Sequence, residues 1–93
     1  MAIASFQDGD TQKIYLGQRS RKFGSIARRA LIQLRRIDAC HVLDDLRVPP
    51  GNRLEALKGD RRGQHSIRID RQWRICFVWK DGDAHDVEIV DYH

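Results

Sequence analysis

The feature that most constrains the fold is a long segment of alternating residues that ends at a tight-turn signal. Residues 73–80 place four large apolar side chains on one face and Arg74 on the opposite face, which is the period of a β-strand. Asp81-Gly82 follows directly, and this dipeptide favours a two-residue type I′ turn between antiparallel strands. The sequence therefore predicts a β-hairpin whose second strand covers residues 84–92.

Two helices are predicted in the first half of the chain. Asp8 or Asp10 caps a short helix that ends at Gly17, because glycine commonly follows the last helical turn. A second helix has Ser25 as its N-cap, and its apolar residues recur through Ile37 at intervals of three and four. Its arginines fall largely on the other side, so this helix is expected to lay an apolar stripe on a sheet.

Further strands are predicted at residues 2–6, 53–57 and 65–69, which gives the order β-α-α-β-β-β-β. This is an α+β fold with two N-terminal helices packed on one face of a mainly antiparallel, twisted sheet. With 93 residues the chain has the length of one domain, covering residues 1–93. Two helices cover only one sheet face, so the other face is expected to remain partly open to a ligand.

Arginine is concentrated in particular segments of the chain. Seven Arg and Lys residues lie between residues 19 and 36 with no acid among them, and the net charge is +4. The guanidinium group binds two phosphate oxygens at once, so such clusters suit RNA. A solvated charged surface or a docking site for an acidic partner protein fits the same pattern.

Cofactor and membrane functions find no support in the sequence. Cys40 and Cys76 are far apart and form no metal-ligand spacing, so no metal site is expected. A chain of this length has little room for a large cofactor. No signal peptide and no membrane-spanning run is recognisable, and we expect a cytoplasmic protein without cofactor and without membrane contact.

Several short motifs occur in a characteristic order along nearly the whole chain. They are Arg53-Leu54-Glu55-Ala56-Leu57-Lys58-Gly59-Asp60, Ser66-Ile67-Arg68-Ile69, Trp73-Arg74-Ile75, Asp81-Gly82-Asp83-Ala84-His85-Asp86-Val87 and the terminal Asp91-Tyr92-His93. With these motifs the sequence resembles the HigB toxins of the RelE superfamily, also called the killer-protein family. The resemblance implies the RelE-like, microbial ribonuclease-type fold.

The resemblance also implies a function. Such toxins belong to type II toxin–antitoxin systems and cut messenger RNA in the ribosomal A site, in contact with ribosomal RNA. Their partner is a helix-turn-helix antitoxin of the HigA kind, through which alone the pair binds operator DNA. The implied catalytic residues are Lys58, Arg74, Asp91, Tyr92 and His93, and Arg68 is an implied flanking phosphate contact. The arginine-rich segment 53–74 adds Arg53, Arg61 and Arg62 as further candidate RNA-binding residues.

One position departs from the family pattern. Many relatives have a histidine where this chain has Glu55, so Glu55 either replaces it as an acid or base or is structural. Cleavage by the 2′-hydroxyl group needs a base, an acid and a cation beside the phosphate. Arg74 is the expected cation, whereas the acid and the base stay open among the remaining residues. Asp91, Tyr92 and His93 can face the RNA together only if the chain leaves the strand there.

Two other functions remain open at this stage. A ParE-like toxin has the same fold and poisons DNA gyrase without cutting RNA, but it lacks the cluster of catalytic residues. A simple RNA-binding module would leave the terminal Tyr92 and His93 as an ordinary chain end. Growth inhibition that survives replacement of these two residues would indicate such a module.

Overall fold

The computed structural model describes residues 1–92 and has two helices and a four-stranded sheet. The elements are α1 (Gly9–Tyr15), α2 (Ala27–Ala39), β1 (Glu55–Ala56), β2 (His65–Arg68), β3 (Trp73–Lys80) and β4 (Asp83–Asp91). Short 3₁₀ turns occupy Leu43–Arg47, Pro50–Asn52 and Gly59–Arg61. The α+β class is confirmed.

Helix α1 begins and ends as the sequence predicts. The side chain of Asp8 accepts a hydrogen bond from the backbone N–H of Thr11 (3.1 Å), which satisfies one of the free donors at the helix start. Gly17 has a φ of 75°, a conformation that glycine adopts without strain. The predicted N-cap and the predicted stop are both confirmed.

The start of helix α2 differs from the prediction. Its N-cap residue is Ile26, without a side-chain hydrogen bond, so the assignment of Ser25 as the N-cap is wrong. Ile26 is buried although it precedes the helix, so the apolar repeat begins in the preceding turn. The repeat alone does not distinguish this turn from the first turn of the helix. Leu34 and Ile37 are fully buried, which confirms the apolar stripe.

All four strands pair antiparallel in the order β1-β2-β3-β4. β1 is shorter than the predicted segment 53–57, because Arg53 has a left-handed backbone (φ 46°) that does not fit a strand. Asp81 and Gly82 both have positive φ values, as a type I′ turn requires. The hairpin between β3 and β4 is confirmed.

The predicted first strand at residues 2–6 does not form as a continuous strand. This segment runs parallel to β4 and pairs with it at only two isolated bridges, Ile3 with Ala84 and Phe6 with Val87. Between these bridges β4 carries an extra residue opposite β3, where Asp86 has a φ of 53°. Such a β-bulge interrupts regular pairing, which explains why the segment breaks into two contacts.

The core lies between the helices and one face of the sheet. Phe23, Leu34, Ile75 and Phe77 are fully buried in it, and Trp73 packs edge-on against Phe23. The opposite sheet face carries Arg74, Ser66 and Cys76, which are buried outside the core that packs against the helices. None of the helices in residues 1–92 has the length and apolar character needed to cross a membrane.

Candidate active site

Arg74 is the centre of the candidate site on this second sheet face. Only 6% of the residue is exposed, and three hydrogen bonds to two residues hold its guanidinium group. Nε donates to Ser66 Oγ (2.8 Å), whereas Nη2 donates to the backbone oxygens of Arg53 (2.6 Å) and Ser66 (3.3 Å). These bonds fix the orientation of a buried charge that would otherwise be strongly unfavourable.

An ion pair completes the surroundings of Arg74. Glu55 Oε1 lies 3.2 Å from Arg74 Nη2, and the Glu55 side chain is 50% exposed. Glu55 is directly opposite Ser66 across the β1–β2 pair, so both reach the same guanidinium group. The pair is accessible to solvent on its carboxylate side, and this is where a ligand could approach.

The left-handed backbone of Arg53 contributes directly to this arrangement. It ends the 3₁₀ turn Pro50–Asn52 with φ 46° and ψ 57°, and its carbonyl group accepts the shortest of the hydrogen bonds from Arg74. Residues other than glycine adopt this conformation only where the surrounding structure holds them. The same geometry that shortens β1 therefore positions Arg74.

Tyr92 covers the guanidinium group. The Arg74 Cζ atom lies 5.6 Å from the centre of the Tyr92 ring, within the range of a cation–π interaction. Val90 is the direct partner of Arg74 across β3 and β4, and Tyr92, two residues later, lies on the same face. The ring is 39% exposed, so the sheet surface beside Arg74 presents a cation and an aromatic ring together.

Asp91 lies on the other side of the sheet. It is still part of β4 and pairs with Trp73, whose ring packs with the helix-side core. Gln72 Nε2 donates to Asp91 Oδ2 (3.2 Å). The strand ends at Asp91, and Tyr92 already lies outside it, so the chain leaves the strand after Asp91 has been placed on the helix side. His93 lies outside the described residues.

The loop after β1 carries Lys58, which is exposed at the start of the 3₁₀ turn Gly59–Arg61. Within residues 1–92, no ion pair or hydrogen bond joins the Lys58 side chain to Arg74 or Tyr92. The structure thus brings Glu55, Arg74 and Tyr92 into contact, and it places Lys58 in the loop beside them.

The four predicted RNA-binding arginines have different surroundings. Arg61 forms an ion pair with Glu88 at 3.1 Å and also contacts Gln64, so it is already neutralised. Arg53 and Arg62 are exposed. Arg68 donates from Nε to the backbone oxygen of Asp70 and lies beside the turn between β2 and β3.

Sequence reasoning missed Ser66 and Gln72 as parts of the site. Ser66 is fully buried although it is polar. The signal available in the sequence was a small hydroxyl residue in strand β2, which pairs with the strand that carries Arg74. Gln72 accepts a hydrogen bond from the Tyr92 backbone N–H (2.7 Å) through its own carbonyl group. It thereby attaches the end of β4 to the β2–β3 turn, which no sequence pattern indicates.

The site has the character of an oxyanion-binding surface. Nη1 of Arg74 makes no hydrogen bond to any of the described residues, and it is not among their fully buried unpaired atoms. It therefore remains able to donate to a phosphate oxygen. Among residues 1–92, no group of three or more His, Cys, Asp or Glu side chains is placed to hold a metal ion.

Comparison with known proteins places the chain among bacterial toxins. A family model described as the RelE-like toxin HigB of type II toxin–antitoxin systems matches residues 4–93. Toxin HigB-1 of Vibrio cholerae serotype O1 is 50% identical over 48 residues, which are 52% of this chain and 50% of that protein. Endoribonuclease HigB of Proteus vulgaris is 46% identical over 41 residues, or 44% and 45% of the two chains.

The aligned stretch thus spans about half the length of each of these two relatives. Among solved structures, a chain of the YoeB–YefM complex from Staphylococcus aureus superposes with a TM-score of 0.61 at 17% identity. The superposition covers 100% of this chain and 99% of that one. The expected RelE-like fold is confirmed.

Proposed function

Because this chain belongs to the family of RelE-like HigB toxins of type II toxin–antitoxin systems, we propose that it is an endoribonuclease that cuts messenger RNA on the ribosome. The observation that carries the proposal is the contact between the buried Arg74 and the partly exposed Tyr92 ring on the sheet face opposite the helix-side core. The name of the Proteus vulgaris relative, an endoribonuclease, supports it.

The proposed reaction uses the RNA's own 2′-hydroxyl group as the nucleophile. A base removes its proton, the 2′-oxygen bonds to phosphorus, and the bond from phosphorus to the 5′-oxygen breaks. An acid protonates the departing 5′-oxygen, leaving a 2′,3′-cyclic phosphate and a 5′-hydroxyl end. This chemistry needs no metal ion or other cofactor, because the substrate supplies its own nucleophile.

Arg74 stabilises the charge that develops on the phosphoryl oxygens, through the Nη1 donors that no residue among 1–92 binds. Loss of one such well-placed donor typically lowers the rate about 100-fold or more. Tyr92 stacks on a base or donates to the phosphate from the same face. Lys58 in the adjacent loop adds positive charge near the RNA.

We assign the base to Glu55 rather than to Asp91. Glu55 lies on the same sheet face as Arg74 and is half exposed, whereas Asp91 is on the opposite face and bonded to Gln72. His93 is proposed as the acid, because histidine is the residue type that most often transfers protons in enzymes. Asp91 then positions the chain end instead of accepting the proton.

The partners follow from the same proposal. The toxin acts in the cytoplasm on messenger RNA in the ribosomal A site, and a helix-turn-helix antitoxin of the HigA kind binds and silences it. Operator DNA is contacted only by the antitoxin. The exposed arginines of α2 offer a surface for ribosomal RNA or for an acidic antitoxin segment.

The proposal is tested by mapping messenger-RNA cuts on translating ribosomes. Tyr92→Ala changes an exposed side chain, so it should fold normally and lose most of the cleavage. Arg74→Lys keeps the charge but not the fork of donors, and we expect at least a 100-fold loss. Arg47→Ala, at an exposed ion pair with Asp44, is the control and should cut like the wild type.

Two results would contradict the proposal. Fragments with a 3′-hydroxyl end would exclude attack by the 2′-hydroxyl group. Growth arrest that begins with DNA damage while translation continues would indicate the gyrase-poisoning alternative instead.

A further inference from the structure

We propose that a cleft between α2 and the β2–β3 turn binds a backbone phosphate of RNA beside the site of cleavage. This inference rests on the proposed function and adds a second binding site to it. Five residues line the cleft, whose volume is about 590 Å³: Arg29, Arg68, Asp70, Arg71 and Gln72.

The cleft brings together arginines from two parts of the chain. Arg29 projects from α2, whereas Arg68 and Arg71 come from the end of β2 and the turn after it. An adjoining cleft of about 340 Å³ shares Arg29 and Arg68 and extends to Arg36. Arg29 and Arg36 are seven residues apart on one helix, so they lie about 10 Å apart along its axis.

The three arginines that line the cleft outnumber its carboxylate. Asp70 is the single carboxylate among the residues that line the cleft. Asp70 Oδ2 lies 3.8 Å from Arg29 Nη1, and the Arg29 side chain is 70% exposed. A contact of this length in water contributes little. Among residues 1–92, the Arg68 side chain donates from Nε to the Asp70 carbonyl group, and no described residue accepts from its terminal amino groups, which can therefore donate to a phosphate.

Asp70 also has a structural role in the turn between β2 and β3. Its Oδ1 atom accepts hydrogen bonds from the backbone N–H groups of Gln72 (2.8 Å) and Trp73 (2.9 Å). Burial raises the pKa of the carboxyl group, but these two bonds and the nearby Arg29 outweigh burial and lower it overall. The carboxylate thus holds the turn on which Arg68 and Arg71 stand.

Gln72 connects the cleft to the candidate active site. It lines the cleft, and it also contacts the backbone of Tyr92 and the side chain of Asp91. An RNA strand whose scissile phosphate lies at Arg74 therefore reaches the cleft by passing the end of β4. An acidic peptide also pairs with guanidinium groups, but its binding would not require the cleft to be continuous with the site at Arg74 and Tyr92. This continuity therefore favours RNA as the ligand.

The first experiment measures binding without cleavage. A fluorescent 12-nucleotide RNA with 2′-O-methyl groups, which cannot supply the nucleophile, is titrated by anisotropy at several salt concentrations. Arg29→Ala with Arg71→Ala should weaken binding at least tenfold and reduce the slope of affinity against salt by about 1 for each lost contact. Arg47→Ala, an exposed arginine outside α2 and outside both clefts, is the matched control and should change neither value.

A second variant is expected to strengthen RNA binding instead of weakening it. Asp70→Asn removes the negative charge but keeps an oxygen that accepts the two backbone hydrogen bonds of the turn. We expect RNA binding to tighten severalfold, because the arginines lose their competing anion. A weakened affinity, with the turn intact by circular dichroism, would overturn the proposal.

Further arms identify the source of the phosphate. If the double arginine variant weakens oligonucleotide binding and cleavage equally, the phosphate belongs to messenger RNA. If it weakens only the binding of ribosomes that carry no messenger RNA, the phosphate belongs to ribosomal RNA. Either result supports the phosphate site. Poly-glutamate that binds with the same dependence on Arg29 and Arg71 would show general attraction of anions and overturn it.

Cut mapping with the same proteins separates the two proposals. A wild type that cuts RNA, while the double arginine variant binds and cuts equally well, refutes the cleft and leaves the nuclease function. A wild type that cuts nothing but binds RNA through these arginines refutes the nuclease function and supports the cleft.

Discussion

Ser66→Ala tests whether the buried hydroxyl group determines how Arg74 is held. The substitution removes one oxygen from a fully buried position and leaves the Arg74 Nε donor without its partner at 2.8 Å. Hydrogen bonds to charged groups contribute about 1.5–3 kcal/mol. Because the Arg53 and Ser66 carbonyl groups and Glu55 still hold Nη2, we expect a loss of unfolding free energy at the lower end, about 1.5–2 kcal/mol.

The effect on catalysis should be larger than the effect on substrate binding. A guanidinium group free to turn about its Nη2 contacts no longer presents Nη1 at a fixed place, and small displacements of catalytic groups lower rates about 10- to 100-fold. We expect kcat for messenger-RNA cleavage to fall by about tenfold with little change in KM. A merely structural role would lower the amount of folded enzyme and leave kcat per folded molecule unchanged.

Urea unfolding in a double-mutant cycle provides the stability measurement. Ser66→Ala and Glu55→Gln act on one guanidinium group, so their effects should couple by about 0.5–3 kcal/mol. The control cycle pairs Ser66→Ala with Tyr15→Phe, which shares no partner with it, and should be additive within about 0.5 kcal/mol. Additivity in the first cycle would refute the idea of a shared support for Arg74.

Three other outcomes follow from the described contacts. Tyr15→Phe removes the hydrogen bond to Asp38 (2.7 Å) that raises the pKa of Tyr15; it should lower the unfolding free energy by about 1–2 kcal/mol at neutral pH. Because folding raises the pKa of Tyr15, the stabilisation by this hydrogen bond is complete below about pH 10 and is lost as the pH rises through the folded pKa. The unfolding free energy of the wild type should therefore decline at alkaline pH, and this decline should be smaller in the variant. Burial raises the pKa of the Cys40 and Cys76 thiols, and both should react with a colorimetric thiol reagent at pH 8 only after unfolding; rapid reaction of the native protein would contradict their burial. Phe77→Ala empties a fully buried ring position and should cost about 3–5 kcal/mol, measured as a lower urea midpoint, and an unchanged midpoint would mean that this ring is not in the core.

The regular elements were predictable because hydrophobic period and turn chemistry act locally. The β3–β4 hairpin and the start of α1 each depend on residues adjacent in sequence, Asp81-Gly82 and Asp8, and both formed as predicted. Ser25 failed as a cap because the apolar repeat extends into the preceding turn. The segment 2–6 failed as a strand because its partner β4 carries a bulge at Asp86, and a bulge cannot be placed from a single strand's pattern.

The candidate site was predictable in residue type but not in arrangement. The resemblance indicated Arg74 and Tyr92, which the structure brings into contact. The hydroxyl group of Ser66 comes from the neighbouring strand β2 and the carbonyl group of Arg53 from the turn before β1. Such contacts depend on strand register and on tertiary structure rather than on local sequence. Asp91 was assigned to the same face, but it is the last residue of β4 and pairs with Trp73, so strand alternation places it on the opposite face.

The N-terminal segment also decides how this sheet can meet other chains. By lying along β4, it occupies the backbone groups of that outer strand at Ala84 and Val87. On the other side the sheet ends in β1, which is only two residues long. Exposed strand edges are templates for pairing with foreign strands, and a sheet with one edge occupied and the other so short offers little room for self-association. A binding partner is consequently directed toward the surfaces formed by side chains.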